Sequence, residues 1–204
     1  TTTLVNFAQG TPARVAWMTH TELKVIDIAS GRPAPGGFPL PTQALSIGRS
    51  PFGGTLGAGD AILLRSAPGV WRALTLGESG VVNDVLVESN ATSFSGAYHI
   101  PRGLVVSGAQ QALRIWDLKT GRLVLDLPSA TPIRSSNTAI AFSPDGKRVV
   151  YQTMGDSVIH VVETDGGKEL LRLQLLGRAE LRTIRYVPDG SRILMGDDWG
   201  AVHI

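Results

Sequence analysis

The sequence of 204 residues contains no cysteine, and this absence excludes disulfide bonds, thiolate metal sites and a cysteine nucleophile. It also lacks any apolar run near the roughly 18 residues that a membrane-spanning helix needs. Charged residues make up only 18% of the chain, and the net charge of +2 is not gathered into a block of one sign. The composition therefore indicates a globular chain without a membrane span and gives little support to nucleic-acid binding.

Catalytic and cofactor signatures are missing as well. The sequence contains no G-x-S-x-G nucleophile motif, no G-x-x-x-x-G-K-[ST] phosphate loop and no H-E-x-x-H metal motif. The glycine-rich stretch 54–60 falls on a predicted strand with no helix after it, so it lacks the setting of an anion site. We therefore predict no metal, no cofactor and no enzymatic activity. The histidines lie far apart, without the spacing of metal ligands: His20, His99, His160 and His203.

Glycine and proline, by contrast, are plentiful: 24 glycines and 12 prolines separate short apolar runs. In the turn Ser143-Pro144-Asp145-Gly146, the proline fixes φ and the glycine can take a positive φ. A similar turn recurs at 187–190. Because glycine or proline interrupts the chain roughly every ten residues, the sequence predicts short strands and turns rather than helices.

The apolar runs recur with a period of about 45 residues, which is typical of repeat proteins. The segment ALRIWDLKTGRLVLDL at 112–127 reappears as VIHVVETDGGKELLRL at 158–173. The segment at 139–156 reappears in the same way at 183–198. Each unit is interpreted as four strands, a to d, joined by turns.

Two units are harder to divide into strands. In the second unit, we assign 50–64 to the a–b turn and strands b and c, and Trp71 to a strand d. In the third unit, 89–103 is interpreted as an insertion. Insertions in repeat proteins often carry the specific contacts, so this segment is either functional or a variable loop.

These units resemble WD40 repeats of a divergent, bacterial type, and Trp116-Asp117 supplies the dipeptide that names the family. The resemblance implies an all-β propeller, here a single domain over 1–204, in which each unit is one four-stranded blade. No unit has the Gly-His pair that often opens a WD40 repeat. We therefore expect the buried Asp-His-Ser/Thr-Trp network of the family to be absent. The approximate bounds of the five blades are 1–40, 41–80, 81–130, 131–177 and 178–204.

The alignment places the end of the sequence inside strand c of the fifth unit. We expect an incomplete last blade and interpret the chain as a fragment of a longer propeller, with roughly two further blades outside it. A five-bladed propeller with a three-stranded last blade is the alternative.

Candidate partner-binding residues lie on the loop rim of the predicted propeller and on the 89–103 segment. An exposed aromatic residue in a hairpin is a plausible hot spot, and arginine can pair with acidic groups of a partner. For the aspartates, the competing interpretation is an ordinary turn residue whose side chain caps the local backbone. The candidates are Trp199, Asp198, Asp156, Arg134, Arg178 and Tyr98.

The sequence favours a non-catalytic scaffold or sensor module within a larger cytoplasmic protein, binding a protein or peptide through the loop rim. The alternative is a propeller hydrolase or lyase with its site in the central channel. That function needs convergent His, Glu, Arg or metal ligands on strands a, which carry mainly small and aliphatic residues. Nucleic-acid binding through the arginines of 178–192 is disfavoured, because strand alternation places Arg182 and Arg185 on opposite faces.

Overall fold

The described part of the chain is built mainly from antiparallel β-strands and falls into two compact units, Thr1–Asn90 and Ala91–Ile204. The computed structural model describes residues 3–8, 14–18, 21–27, 30–32, 38–39, 46–47, 61–76, 81–89, 95–109, 111–133, 140–154, 157–175 and 180–204.

The first unit contains two four-stranded sheets. Sheet 1 consists of β1 (Thr3–Ala8), β2 (Arg14–Met18), β3 (Glu22–Asp27) and β4 (Phe38–Pro39), and sheet 2 of β5 (Ser46–Ile47), β6 (Ala61–Ala67), β7 (Val70–Leu76) and β8 (Val81–Glu88). The two-residue turn Pro68-Gly69 joins β6 to β7, and Gly69 has a φ of 77°, which glycine adopts without steric cost.

The second unit contains three sheets. Sheet 3 consists of β9 (Ser95–His99), β10 (Leu104–Ala109), β11 (Ala112–Asp117) and β12 (Leu123–Pro128), with a short 3-10 turn at Ile100–Arg102. Sheet 4 consists of β13 (Ile140–Phe142), β14 (Arg148–Gln152), β15 (Val158–Glu163) and β16 (Glu169–Gln174). Sheet 5 consists of β17 (Leu181–Tyr186), β18 (Ile193–Asp197) and β19 (Val202–His203).

All five sheets share one connectivity: the order of strands in the sheet follows their order in the sequence, and neighbours run antiparallel. Sheets 1 to 4 have the four strands that the sequence predicts for each unit, and sheet 5 has three within the described residues. In the second unit, β9 lies beside β13, and β13 lies beside β17. The first strands of sheets 3, 4 and 5 are therefore neighbours.

Sheet 4 is buried on both faces. On β14, Val149 and Tyr151 pack with Ile115 of sheet 3, whereas Val150 packs with Ile184 of sheet 5. Alternate residues of a strand point to opposite faces, so a strand covered on both sides needs an uninterrupted apolar run. The run Val149–Tyr151 meets that requirement and fixes sheet 4 between its two neighbours.

Burial declines across each sheet of the second unit. The first three strands of sheet 4 are mostly buried, whereas every residue of the last strand, β16, is exposed. The last strand of sheet 3, β12, alternates between exposed and half-buried residues. The core of this unit therefore depends on the first three strands of sheets 3 and 4 and on the first two strands of sheet 5.

The strand assignment predicted for the second sequence repeat (41–80) differs from the structure. Residues 61–64, predicted as strand c, lie on β6, the second strand of sheet 2. Trp71, predicted on strand d, lies on the third strand, β7. β8 pairs with β7, whereas the predicted bounds 41–80 and 81–130 place it in the next blade. This repeat has no Pro-Asp-Gly turn to mark where its first strand ends. The predicted turn and strand over 50–60 lie outside the described residues.

The predicted insertion at 89–103 is wrong over its second half, because Ser95–His99 forms β9 and pairs with β10. After it, Pro101-Arg102-Gly103 takes the place that Pro144-Asp145-Gly146 has in sheet 4. Gly103 has a φ of 62° and Gly146 a φ of 68°. An arginine at the usual aspartate position obscured this turn in the sequence.

Candidate interaction surface

The hairpin between β18 and β19 carries Trp199, the most exposed large apolar side chain among the described residues, at 79% exposure. The carboxylate of Asp197 holds this hairpin: its Oδ1 accepts the backbone N–H of Trp199 at 3.0 Å and that of Ala201 at 2.8 Å. Its Oδ2 accepts from Nε2 of His203 at 2.9 Å. The indole is therefore presented on a turn that side-chain hydrogen bonds fix in place.

The electrostatics of Asp197 support this capping role. The hydrogen bond from His203 is the main cause that lowers its pKa below the ordinary value of 3.8, helped by the backbone N–H groups of Ala201 and Trp199. The carboxylate thus stays ionised, which strengthens the hydrogen bonds it accepts. The sequence could not show which of two adjacent aspartates caps the turn, and Asp197 was not among the predicted site residues.

Asp198 is exposed beside Trp199 and anchors the same hairpin from its other side. Its backbone N–H donates to the carbonyl oxygen of Glu180 at 3.0 Å, and its Oδ1 accepts the backbone N–H of Glu180 at 3.4 Å. Asp198 thus leaves a negative charge next to the exposed indole while joining the hairpin to the segment before β17.

Tyr98 does not lie on an insertion loop, as the sequence predicted, but on β9. It is half-buried between Ala97 and His99, which are both buried and point to the other face of the strand. Tyr98 also has interactions within the chain. The structure therefore gives it the position of a strand residue.

The remaining predicted site residues, Asp156, Arg134 and Arg178, lie outside the described residues. Trp199 and Asp198 are therefore the two predicted site residues that the structure brings together. The assignment of the other three to the partner-binding surface stays a prediction.

A relay of three side chains on sheet 4 bears on the alternative of a propeller enzyme. Nδ1 of His160 donates to Oε1 of Glu169 at 2.6 Å, and its Nε2 lies 3.3 Å from Oγ1 of Thr153. The imidazole stacks on Tyr151, with ring centroids 4.9 Å apart. This order of atoms resembles a hydroxyl nucleophile, a histidine base and an acid.

The environment of Thr153 does not suit a nucleophile. It is only 2% exposed, and it does not line the cavity of about 290 Å³ that His160, Glu169 and Arg172 border. A substrate in that cavity would meet the imidazole and the carboxylate but not the hydroxyl group. The relay instead connects the strands of sheet 4 and does not support hydrolase chemistry.

A second polar cluster connects sheets 3 and 4 at the ends of their first turns. Arg102 donates from Nη1 to the carbonyl oxygen of Gly146 and to Oγ1 of Thr164, both at 2.8 Å, and from Nη2 to Asp165 at 3.2 Å. Nε2 of His99 donates to the carbonyl oxygen of Pro144 at 2.9 Å. We call this set the Arg102 clasp. In a sheet whose strands pair in sequence order, successive turns lie at alternate ends. The clasp involves the first and third turns, whereas the β18–β19 hairpin is a second turn, so the two lie at opposite ends of the strands.

The WD dipeptide is placed on the third strand of sheet 3, where the repeat predicts it. Nε1 of Trp116 is buried and has no hydrogen-bond partner among the described residues. Asp117 instead caps its own turn, accepting the backbone N–H groups of Lys119 at 2.9 Å and Thr120 at 2.7 Å. Trp116 therefore acts as a packing residue rather than the anchor of a polar network.

Neither a metal-binding cluster nor a membrane-spanning helix occurs in the described ranges. No three His, Asp or Glu side chains in them are arranged to hold a metal ion. Within the same ranges, no helix has the length and apolar character needed to cross a membrane.

No protein-family model matches the sequence, and no curated protein matches it. Among solved structures, Hsv2 of Kluyveromyces marxianus superposes with a TM-score of 0.68 at 16% identity, over 98% of this chain and 56% of that chain. Hsv2 of Kluyveromyces lactis gives a TM-score of 0.66 at 16% identity, over 100% of this chain and 60% of that chain.

This likeness shows that the chain has a WD40-like β-propeller fold built from repeated sheets. The chain spans less than two thirds of the length of these structures. At 16% identity the likeness concerns the fold alone, because a propeller can host many unrelated functions. The number of blades and the bacterial character of the repeats stay predictions.

Proposed function

We propose that this chain is a propeller-type interaction module without catalytic activity, part of a larger multidomain protein, and that it binds a protein or peptide partner through the hairpin carrying Trp199. The observation that carries the proposal is the 79% exposure of an indole on a turn fixed by Asp197. Burial of an exposed tryptophan contributes most to the binding free energy when its surroundings are already ordered, since little conformational entropy is then lost on binding.

The chemistry of the hairpin describes the pocket that a partner would offer. The indole needs an apolar pocket with a hydrogen-bond acceptor for its N–H group. Asp198 places a carboxylate next to Trp199, so a basic side chain at the rim of that pocket would match it. The partner is thus expected to present an apolar groove that lysine or arginine side chains border. Arg134, Arg178 and Asp156 belong to the same proposed surface.

The proposal is tested by affinity capture from native lysate, comparing the unchanged chain with Trp199→Ala. Val124→Ala is the matched control, because Val124 is also an exposed apolar residue, 47% exposed on β12. We expect the captured partner to be lost with Trp199→Ala and kept with Val124→Ala. Removal of a central aromatic hot spot typically costs at least about 2 kcal/mol of binding free energy, which is roughly 30-fold in Kd. A set of captured proteins that is the same for all three chains would contradict the proposal.

A further inference from the structure

The cavity of about 290 Å³ that His160 borders lies between sheets 3 and 4. One wall is formed by the end of β12 and the residues after it, 127–131, and the other by residues of β14, β15 and β16. Leu127 and Val162 give the cavity apolar surface from both sheets. Pockets for drug-sized ligands usually measure about 300–1,000 Å³, so a cavity at the lower limit of this range suits a smaller molecule.

A buried hydroxyl group lines this cavity. Tyr151 is only 4% exposed, and its ring stacks on that of His160. Among the described residues, no hydrogen bond is formed by the Tyr151 hydroxyl. Burial, and after it the charge of Glu169, raises the pKa of Tyr151 to about 12, so the hydroxyl keeps its proton and can donate. A buried donor of this kind costs free energy until an acceptor reaches it.

The internal repeat shows that a positive charge at this cavity lacks the partner it has in the neighbouring sheet. In sheet 3, Arg114 lies opposite Asp126, and Nε of Arg114 is 3.3 Å from the Asp126 carboxylate. The equivalent pair in sheet 4 is His160 and Arg172, so no carboxylate lies opposite the guanidinium. Within the described ranges, Arg172 forms no ion pair. An anionic group in the cavity would supply the missing charge.

Glu169 brings a negative charge to the same cavity. Its Oε1 accepts from Nδ1 of His160 at 2.6 Å, and a carboxylate has further lone pairs with which to accept other donors. The charges of Glu169 and Arg172 act on the Tyr151 hydroxyl in opposite directions, since the first raises its pKa and the second lowers it. The cavity therefore presents a cation, an anion and an uncharged donor beside apolar surface.

We propose that this cavity binds a free α-amino acid with an apolar side chain. Its carboxylate pairs with Arg172 and accepts a hydrogen bond from Tyr151, and its ammonium group binds Glu169. Its side chain packs on the apolar surface of the cavity. A zwitterion matches both charges, whereas a simple carboxylic acid would be repelled by Glu169. The proposal goes beyond the hairpin surface, because Trp199 does not line this cavity.

Isothermal titration calorimetry of the full chain tests the site with L-alanine, L-leucine and L-phenylalanine. We expect leucine or phenylalanine to bind more tightly than alanine, because a larger side chain buries more apolar surface. The amide of the tightest amino acid lacks the carboxylate, and its N-acetyl form lacks the ammonium group. Each derivative is expected to bind at least about tenfold more weakly, since it loses a charged contact.

Three results of this titration would overturn the proposal. The first is that none of the three amino acids binds. The second is that the amide binds as tightly as the amino acid, which would indicate the N-terminus of a peptide as the occupant. The third is equal binding of the N-acetyl form, which would indicate a ligand recognised by its carboxylate alone.

Tyr151→Phe separates binding from folding. It removes the hydroxyl but keeps the ring that stacks on His160. Because that hydroxyl forms no hydrogen bond among the described residues, the urea midpoint should not fall. The affinity for the amino acid should fall about tenfold, since a hydrogen bond to a charged group is lost. An unchanged affinity together with a lower midpoint would show that the hydroxyl serves the fold alone and would overturn the proposal.

Two charge variants assign each end of the ligand. Arg172→Gln should no longer favour the amino acid over its amide, and Glu169→Gln should no longer favour it over the N-acetyl form. Arg122→Gln is the control, because this exposed arginine does not line the cavity, and it should keep both preferences. Trp199→Ala should also keep them, which separates this site from the hairpin surface. Both preferences remaining intact in the two charge variants would overturn the proposal.

Discussion

Glycine at the end of the first turn meets two different requirements in neighbouring sheets. Gly103, Gly146 and Gly190 have φ values of 62°, 68° and 72°, so all three adopt the left-handed conformation. Around Gly103, nothing lies within 4 Å of where a Cβ would be. At Gly146, that Cβ would lie 2.7 Å from the His99 ring and 2.8 Å from Cδ of Arg102. Gly146 is therefore required for close packing as well as for φ.

We predict that Gly146→Ala destabilises the chain more than Gly103→Ala. The left-handed conformation costs an L-residue roughly 1–2 kcal/mol, and this applies to both variants. Overpacking typically adds about 1–3 kcal/mol, and this applies to Gly146 alone. Urea unfolding monitored by circular dichroism measures the difference in free energy of unfolding. Equal losses of unfolding free energy in the two variants would show that the added methyl group at position 146 is accommodated without overpacking against His99 and Arg102.

Single residues also show where sequence reasoning reached the site and where it did not. The exposed hairpin of Trp199 was predicted, because an aromatic residue between Asp198 and Gly200 follows a turn pattern. Capping of this turn by an aspartate was predicted as the competing interpretation, but the sequence could not show that Asp197 rather than Asp198 is the capping residue, because that choice depends on strand pairing. Arg102 was missed for the same kind of reason, since its partners Thr164 and Asp165 lie more than 60 residues away in the sequence.

At the scale of single elements, aspartate side chains cap the turns between strands. Asp145 accepts the hydroxyl of Ser143 at 2.6 Å, Asp189 that of Ser191 at 2.6 Å, and Asp117 the backbone N–H of Thr120 at 2.7 Å. These hydrogen bonds are the main reason that the pKa of each carboxyl group lies below its ordinary value of 3.8. The ionised form of each aspartate is thus favoured by the folded chain.

We therefore predict that stability is lost in acid. A carboxyl group whose pKa is lower in the folded state stabilises the fold above about pH 4, and that stabilisation disappears as the pH falls through the folded-state pKa. The urea midpoint should fall steadily below pH 4, and Asp145→Asn should reduce this dependence. A midpoint for Asp145→Asn that falls with pH as steeply as for the unchanged chain would contradict the prediction.

The Arg102 clasp allows a second prediction about elements. Arg102→Met removes charged hydrogen bonds to Gly146 and Thr164, which connect sheet 3 to sheet 4. Such bonds typically contribute about 1.5–3 kcal/mol each. Asp165→Asn removes only an exposed ion pair, since the Asp165 side chain is 71% exposed, and should cost less than about 1 kcal/mol. Thermal unfolding of the two variants measures the contrast. A larger loss for Asp165→Asn would reverse this account of the clasp.

The sequence predicted sheets 4 and 5 well and sheet 2 poorly, for a physical reason. In sheets 4 and 5, a Pro-Asp-Gly turn fixes φ at two positions and so marks where the first strand ends. In the second repeat unit, Pro68-Gly69 marks a later hairpin. Without a first-turn signal, the strand at 61–64 and the strand of Trp71 were each assigned one place too late. Alternating apolar residues define a strand but not its position within a sheet.

At the scale of the molecule, the residues 91–204 contain two complete core clusters. One packs sheet 3 against sheet 4, and the other packs sheet 4 against sheet 5. Both clusters draw all their members from this unit. The unit therefore has its own hydrophobic core, which is the main requirement for independent folding.

We predict that residues 91–204, expressed alone, unfold in one cooperative urea transition. Ile184→Ala is the check on the core, because Ile184 is fully buried between sheets 4 and 5, and such truncations typically cost about 2–5 kcal/mol. The variant should shift the whole transition to lower urea. A gradual change in signal without a transition, in the unchanged segment, would show that this unit needs residues 1–90 to fold.

The simple strand order of these sheets has a consequence for synthesis on the ribosome. Because each strand pairs with the one made just before it, sheet 3 can complete its backbone hydrogen bonds while sheet 4 is still being translated. At roughly 5–20 residues per second, the delay between successive sheets is a few seconds. During that delay the apolar face formed by Leu113 and Ile115 is open to water until β13 and β14 emerge to cover it. Nascent-chain folding should therefore advance in steps of one sheet. Each step leaves one apolar face exposed until the next sheet covers it.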